Sequence, residues 1–276
     1  MNRPPQNPSV RDLIANKRQF SHRQTAAEGK LGFRGWHERG RLPHFDVPGR
    51  TQFVTFRLAD GFPESRRSEW EHLAKIENDE ERRELLEEYL DRGHGDACLK
   101  EPIVGAMVEK ALRFFDGERY ELRAWVVMPN HVHVLFKVGG VAMADILESW
   151  KSFTAKEANK LLGRTGRFWQ PDFWDTFMRN SEHEAQIRGY IESNPAEAKL
   201  VRDRKEWPWC SARLRDEYGR LDLRSAPVSG AAAIQRGKRL DESDAPLANN
   251  ALRPGGPRPA PKKIATDSTP PPSNPH

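Results

Sequence analysis

The stretch Glu121–Val138, ELRAWVVMPNHVHVLFKV, reads as two strands, Glu121–Met128 and His131–Val138, joined in a hairpin at Pro129-Asn130. Successive side chains of a strand point to opposite faces. Val132, Val134, Phe136 and Val138 therefore make one wholly apolar face, suited to packing against helices. His131 and His133 project together from the other face, followed by Leu135 and Lys137. Two imidazoles this close on one strand can share a cation, and neutral histidine is a frequent ligand. The same pair can also stand hydrogen-bonded and inert. A third alternating histidine is ruled out by Leu135, so any further ligand comes from elsewhere in the chain.

Working outward, Thr51–Leu58 (TQFVTFRL) is β-branched and aromatic, the composition of a strand. Pro102 can open a helix that continues through Ile103, Val104, Met107, Val108, Ala111, Leu112 and Phe115 at helical spacing, with Asp116-Gly117 as its stop. Ala144–Leu162 is amphipathic, and Phe168–Met178 contains a last strand. Ser181–Glu192 is a further helix, with Ser181 as N-cap and Glu184 completing a capping box. The order β-α-β-β-α-β-α predicts an α+β fold, a ferredoxin-like split βαβ. Its antiparallel sheet of four to five strands carries helices on one face, an extra C-terminal helix, and an open second face where the chemistry sits.

That last helix holds a second candidate group. Tyr190 and Asn194 are four apart and share a helix face, one turn from each other. An activated phenol can act as a covalent nucleophile, and an amide oxygen can complete a hard-cation site. Asn194-Pro195 is equally a pair that starts a new short helix over 196–201, and Tyr190 equally a core aromatic.

Charge and composition bound the partners. The net charge is +5, yet residues 64–92 carry eleven acids against six Lys/Arg, which is −5 and leaves +10 for the rest. A basic body with one acidic appendage suits a polyanion. Two cysteines, neither in a CxxC pattern, give neither a disulfide framework nor a zinc knuckle and fit a reducing cytoplasm. No apolar run approaches the roughly 20 residues of a membrane span, and no apolar export segment follows the first residues. Residues 1–42 read as a mobile basic arm and 43–215 as the folded body, with 60–98 as an acidic helical insertion. Residues 216–276 read as a disordered tail, since ten of the 21 prolines fall in 225–276 and no aromatic follows Tyr218.

Six segments in order, LPHFDVPGRTQFVTFRL (42–58), AWVVMPNHVHVLF (124–136), WKSFTAKEANKLLG (150–163), FWQPDFWDTFMRN (168–180), YIESNPAEAKLV (190–201) and EWPWCSA (206–212), resemble single-tyrosine HUH transposases, in particular the REP-associated tyrosine transposases of bacteria. The resemblance implies a metal-dependent enzyme that cleaves and rejoins single-stranded DNA at a hairpin through a 5′-phosphotyrosine. It implies His131, His133 and Asn194 as ligands of Mg²⁺ or Mn²⁺, with Tyr190 as nucleophile. The expected partner is single-stranded DNA bearing a REP-like hairpin, met at the nucleoid by a monomer or homodimer, with no membrane. Lys151, Lys156, Lys160, Arg164 and Arg167 are candidates to track phosphates, and Trp169 to stack a base. The sequence departs from the family pattern at Ala196, Glu197 and Lys199, at Asp175-Thr176, and in the acidic insertion. The competing readings are a replication-initiator or relaxase-type nickase and a catalytically silent hairpin-DNA regulator.

Overall fold

The protein is described by a computed structural model that covers residues 22–39, 42–60 and 95–223, together with residues 76, 81, 84–86, 88 and 90. The expectations for 1–21, for most of 61–94 and for 224–276 lie outside the described residues.

Four strands build the central sheet: β3 (Thr51–Arg57), β4 (Tyr120–Val127), β5 (His131–Val138) and β6 (Trp174–Phe177). Their spatial order is β4-β5-β3-β6, all antiparallel, with β3 and β5 in the middle. This is the split βαβ arrangement, reached because β3 and β4 are joined by helix α2 (Pro102–Arg113) and β5 and β6 by helix α3 (Met143–Leu161). Pro102 does stand in the first turn of α2. Arg123 is the extra residue of a bulge, since Leu122 faces Phe136 while Ala124 faces Leu135.

The apolar face of β5 packs on α3, where Phe136 meets Trp150 edge-on with ring centroids 5.2 Å apart. On the same side Trp125 of β4 donates its indole N–H to the buried carboxylate of Glu109 on α2, at 3.1 Å. Ala142, the N-cap of α3, has no side chain to offer. Asp46 from another strand supplies the acceptor, taking a 3.0 Å bond from the Met143 amide.

The last helix, α4 (Ser181–Glu197), differs from the sequence expectation at both ends. Its N-cap is Asn180, whose side chain accepts from the His183 amide at 2.8 Å, rather than Ser181. Pro195 lies inside the helix and starts no new one. The helix closes beyond it when Lys199 adopts φ 58°, a left-handed conformation normally given to glycine. Nor is the second sheet face open: α4 lies on it, and His131 and His133 are each only 1% exposed.

Order also extends past the edges expected of the body. Residues 26–30 form a short helix, α1 (Ala26–Lys30), and β1 (Gly35–Arg39) pairs with β2 (Leu42–Asp46) in a separate hairpin. Part of the stretch read as a mobile arm is thus structured, anchored by Phe33 in the core and by Trp36 stacked 4.6 Å from Phe45. At the other end Asp222 donates its amide to the Leu214 carbonyl at 2.9 Å, so the fold continues a few residues into the segment read as tail.

Candidate active site

Pairing register decides what surrounds the two histidines. β3 places Thr55 opposite His133 and Arg57 opposite His131, so Phe53, Thr55 and Arg57 share their face. The Nε2 atoms of His131 and His133 approach to 3.0 Å. Their Nδ1 atoms are each backed by a partner: Asn130 Oδ1 lies 2.7 Å from that of His131, and Thr55 Oγ1 lies 2.7 Å from that of His133. Buried polar atoms need such partners, because an unmet one costs about 1–3 kcal/mol.

Tyr190 stands beside this pair. Its half-buried ring lies 5.7 Å from the His133 ring, centroid to centroid, and edge-on to Phe53 at 6.0 Å. Ile187 and Ile191, three residues before it and one after, are buried and fix α4 to the body. Glu192 secures it further. One of its carboxylate oxygens accepts from Ser211 Oγ and from Arg215 Nε, both at 2.7 Å, and all three groups are largely shielded from water. Asn194 is 2% exposed, one turn after Tyr190. Among the described residues no group of three or more His, Cys, Asp or Glu side chains is placed to hold a metal ion. A cation here would rely on the two imidazoles, an amide or phenol oxygen, and substrate or water.

The expected DNA-binding residues divide. Lys156, Lys160 and Arg167 are exposed and available to phosphates. Lys151 is half-buried and donates to the main-chain carbonyls of Gln170 and Pro171, at 2.5 and 2.9 Å. Arg164 pairs with Asp96 at 2.9 Å, so its charge is already met. Trp169 is a correction. It is 4% exposed, its indole N–H donates to Thr154 Oγ1 at 2.8 Å, and its ring packs edge-on to Phe56, which leaves no ring face for a base. Lys151 and Arg167 line an open groove of about 380 Å³ beside α3, with Phe168 and Phe173 on its wall.

The sequence reading missed Asn130, Thr55 and Arg57. Asn130 and the histidines are adjacent in MPNHVH, but that its amide turns back to His131 is decided by the tertiary structure. The signal available for Thr55 and Arg57 is the alternation along TQFVTFRL, which puts them on one face with Phe53, but only the strand register says which face.

Residues 96–194 match the family described as transposase IS200 like. A REP-associated tyrosine transposase of Escherichia coli strain K12 is 29% identical over 90 residues, which is 33% of this chain and 53% of that protein. The chain thus spans about half the length of the curated relative it matches. A solved REP-associated tyrosine transposase bound to a REP hairpin aligns with 18% identity and a TM-score of 0.41, over 69% of this chain and 90% of that one. No described helix is long and apolar enough to cross a membrane. The segment from Asp96 to Asn194 that matches this family holds both histidines, Tyr190 and Asn194.

Proposed function

We propose that the protein is a metal-dependent strand transferase acting on single-stranded DNA beside a hairpin, with Tyr190 as its nucleophile. The observation that carries this reading is the meeting of His131, His133 and Tyr190 on one sheet face, with the Nε2 atoms 3.0 Å apart and the phenol ring 5.7 Å from His133. The donors fit a small cation. Their Nε2 atoms, 3.0 Å apart, are near enough for one ion to be shared between them, and imidazole nitrogen suits such a metal. His131, His133 and Asn194 would hold Mg²⁺ or Mn²⁺, which supplies Lewis acidity at a non-bridging oxygen of the scissile phosphate.

The chain's own groups do the rest. Arg57, opposite His131 and on the same face, adds a fixed positive charge for the phosphate. Tyr190 Oη attacks phosphorus in line, an O–P bond to the phenol forms, and the bond from phosphorus to the 3′ oxygen breaks. The phenolic proton passes to solvent and the departing 3′ oxygen takes one up, leaving a 3′-hydroxyl and a 5′-phosphotyrosine. The phosphodiester linkage is conserved in number, so a 3′-hydroxyl can reverse the step and rejoin DNA. Lys156, Lys160 and Arg167 would follow the DNA backbone, a salt-dependent contribution. The hairpin is taken as substrate class from the resemblance of the six sequence segments to REP-associated tyrosine transposases and the match to one of them.

The test incubates the protein with an end-labelled single strand carrying a hairpin, with Mn²⁺ or Mg²⁺, and resolves it on a denaturing protein gel. A covalent adduct is expected that is lost with chelator and in Tyr190→Phe. An adduct that persists in Tyr190→Phe reassigns the nucleophile. Tight hairpin binding without any adduct favours the silent regulator instead.

A further inference from the structure

The two histidines are backed by chemically different partners. An amide oxygen only accepts and an amide nitrogen only donates, whereas a hydroxyl does both. Asn130 Nδ2 donates to the Leu90 main-chain carbonyl at 2.8 Å, and since a carbonyl cannot donate, this bond decides which end of the amide faces which neighbour. The Asn130 oxygen is left for His131, so the proton of that ring sits on Nδ1. Asn130 is 5% exposed, and competition from water is small. Thr55 Oγ1 can accept from His133 Nδ1 or donate to it, and imposes no tautomer. With both rings neutral, the proton in the 3.0 Å contact between the Nε2 atoms then belongs to His133.

We infer that Asn130 is a positioning residue that presets His131 with an unprotonated Nε2, that Leu90 of the acidic insertion holds Asn130 in this orientation, and that His133 takes its ligating tautomer only when a cation arrives. This rests on the cation reading proposed above. The insertion is seated for the task. Leu86 and Leu90 are buried at 4% and 3%, with Ile76, Leu85 and Trp174 packed against them. Trp174 stands opposite Thr55 across the β3–β6 pairing, so the seat of Leu90 rests on the strand beside the second histidine's partner. Leu90, which lies within a stretch of net charge −5, is in this way tied to the hairpin that carries both histidines.

The experiment uses the full chain and two readouts. Long-range ¹⁵N–¹H NMR of the histidine rings in metal-free protein reports the tautomers, and electron paramagnetic resonance of free Mn²⁺ reports ion affinity. The expected wild-type result is a proton on Nδ1 of His131 and on Nε2 of His133, with His133 moving to Nδ1 under saturating Mg²⁺. In Asn130→Ala the His131 tautomers mix, and Mn²⁺ affinity falls by about ten- to a hundredfold, the usual effect of losing such a backing group. Asn130→Asp retains an acceptor and keeps His131 on Nδ1. Leu86→Ala/Leu90→Ala loosens the insertion and gives a smaller loss in the same direction. If Asn130→Ala does not fold, the aspartate and double-leucine variants carry the test. A wild-type His131 protonated on Nε2, or Asn130→Ala with unchanged tautomer and affinity, overturns the proposal. A double-leucine variant identical to wild type overturns the role of the insertion. Absence of a Tyr190 adduct with His131 found on Nδ1 sinks strand transfer alone, so the two failures are distinguishable.

Discussion

The apolar face of β5 and its two histidines are equally buried and held in opposite ways. Val132, Val134, Phe136 and Val138 are 0–1% exposed, and so are His131 and His133 at 1%. On the apolar face, contact with α3 through Phe136 and Trp150 suffices, because dispersion and the hydrophobic effect are undirected. On the histidine face each ring nitrogen has a named polar neighbour, drawn from the turn, from β3 or from the other histidine. One strand thus carries stability on one side and a directional polar constellation on the other. Damage to the first face should show as unfolding, and damage to the second as lost chemistry in a folded protein.

The strongest way to sharpen this contrast is Phe136→Ala. Truncating a fully buried aromatic costs about 3–5 kcal/mol, so chemical denaturation should show a large loss of stability, whereas Tyr190→Phe should melt like the wild type while abolishing the adduct. A Phe136→Ala protein of near-native stability would break the comparison. Next is Glu192→Ala, which strips the buried partner from Arg215 and Ser211 behind the tyrosine helix. Breaking such a pair costs about 3 kcal/mol, and adduct yield should fall with stability, since the helix that aims Tyr190 loses its anchor.

Smaller effects come from the helix ends. Lys199 holds a left-handed conformation at φ 58°, so Lys199→Gly should raise stability by about 1 kcal/mol in urea titrations and leave adduct formation alone. Asp46 caps α3 from a distance, and burial pushes its carboxyl above the usual range even though the Met143 amide pulls it down. A raised carboxyl favours the folded state when protonated, and that contribution disappears as pH rises through its folded value. Asp46→Asn, which keeps the amide-accepting oxygen, should therefore flatten the stability profile just above the ordinary carboxylate range. An unchanged profile would remove Asp46 from the account.

Where the sequence reading went astray, the reason was non-local. Trp169 was a fair candidate for base stacking by residue type, but Thr154, fifteen residues earlier on α3, takes its indole proton inside the core. Arg164 pairs with Asp96, 68 residues earlier, a contact that no pattern along the chain could show. Asn180 replaced Ser181 as the cap of α4 because its extended backbone, and not the serine's, aims a side chain at the first free amides. The Lys199 departure from the family pattern, by contrast, was visible beforehand and only its backbone strain was not.

Sequence alone determined the strand at His131–Val138 to the residue, the two faces of that strand, the order of elements from β3 to α4, and the one-turn spacing of Tyr190 and Asn194. Each of these follows from periodicity among consecutive residues, which the backbone geometry of a strand or helix converts directly into direction. Tertiary structure alone decided that Thr55 and Arg57 stand opposite the histidines, that α4 covers their face, and that Asn130 is held from the insertion. Those contacts join residues tens of positions apart, and strand register and helix docking, which bring them together, are set by the packing of the whole domain.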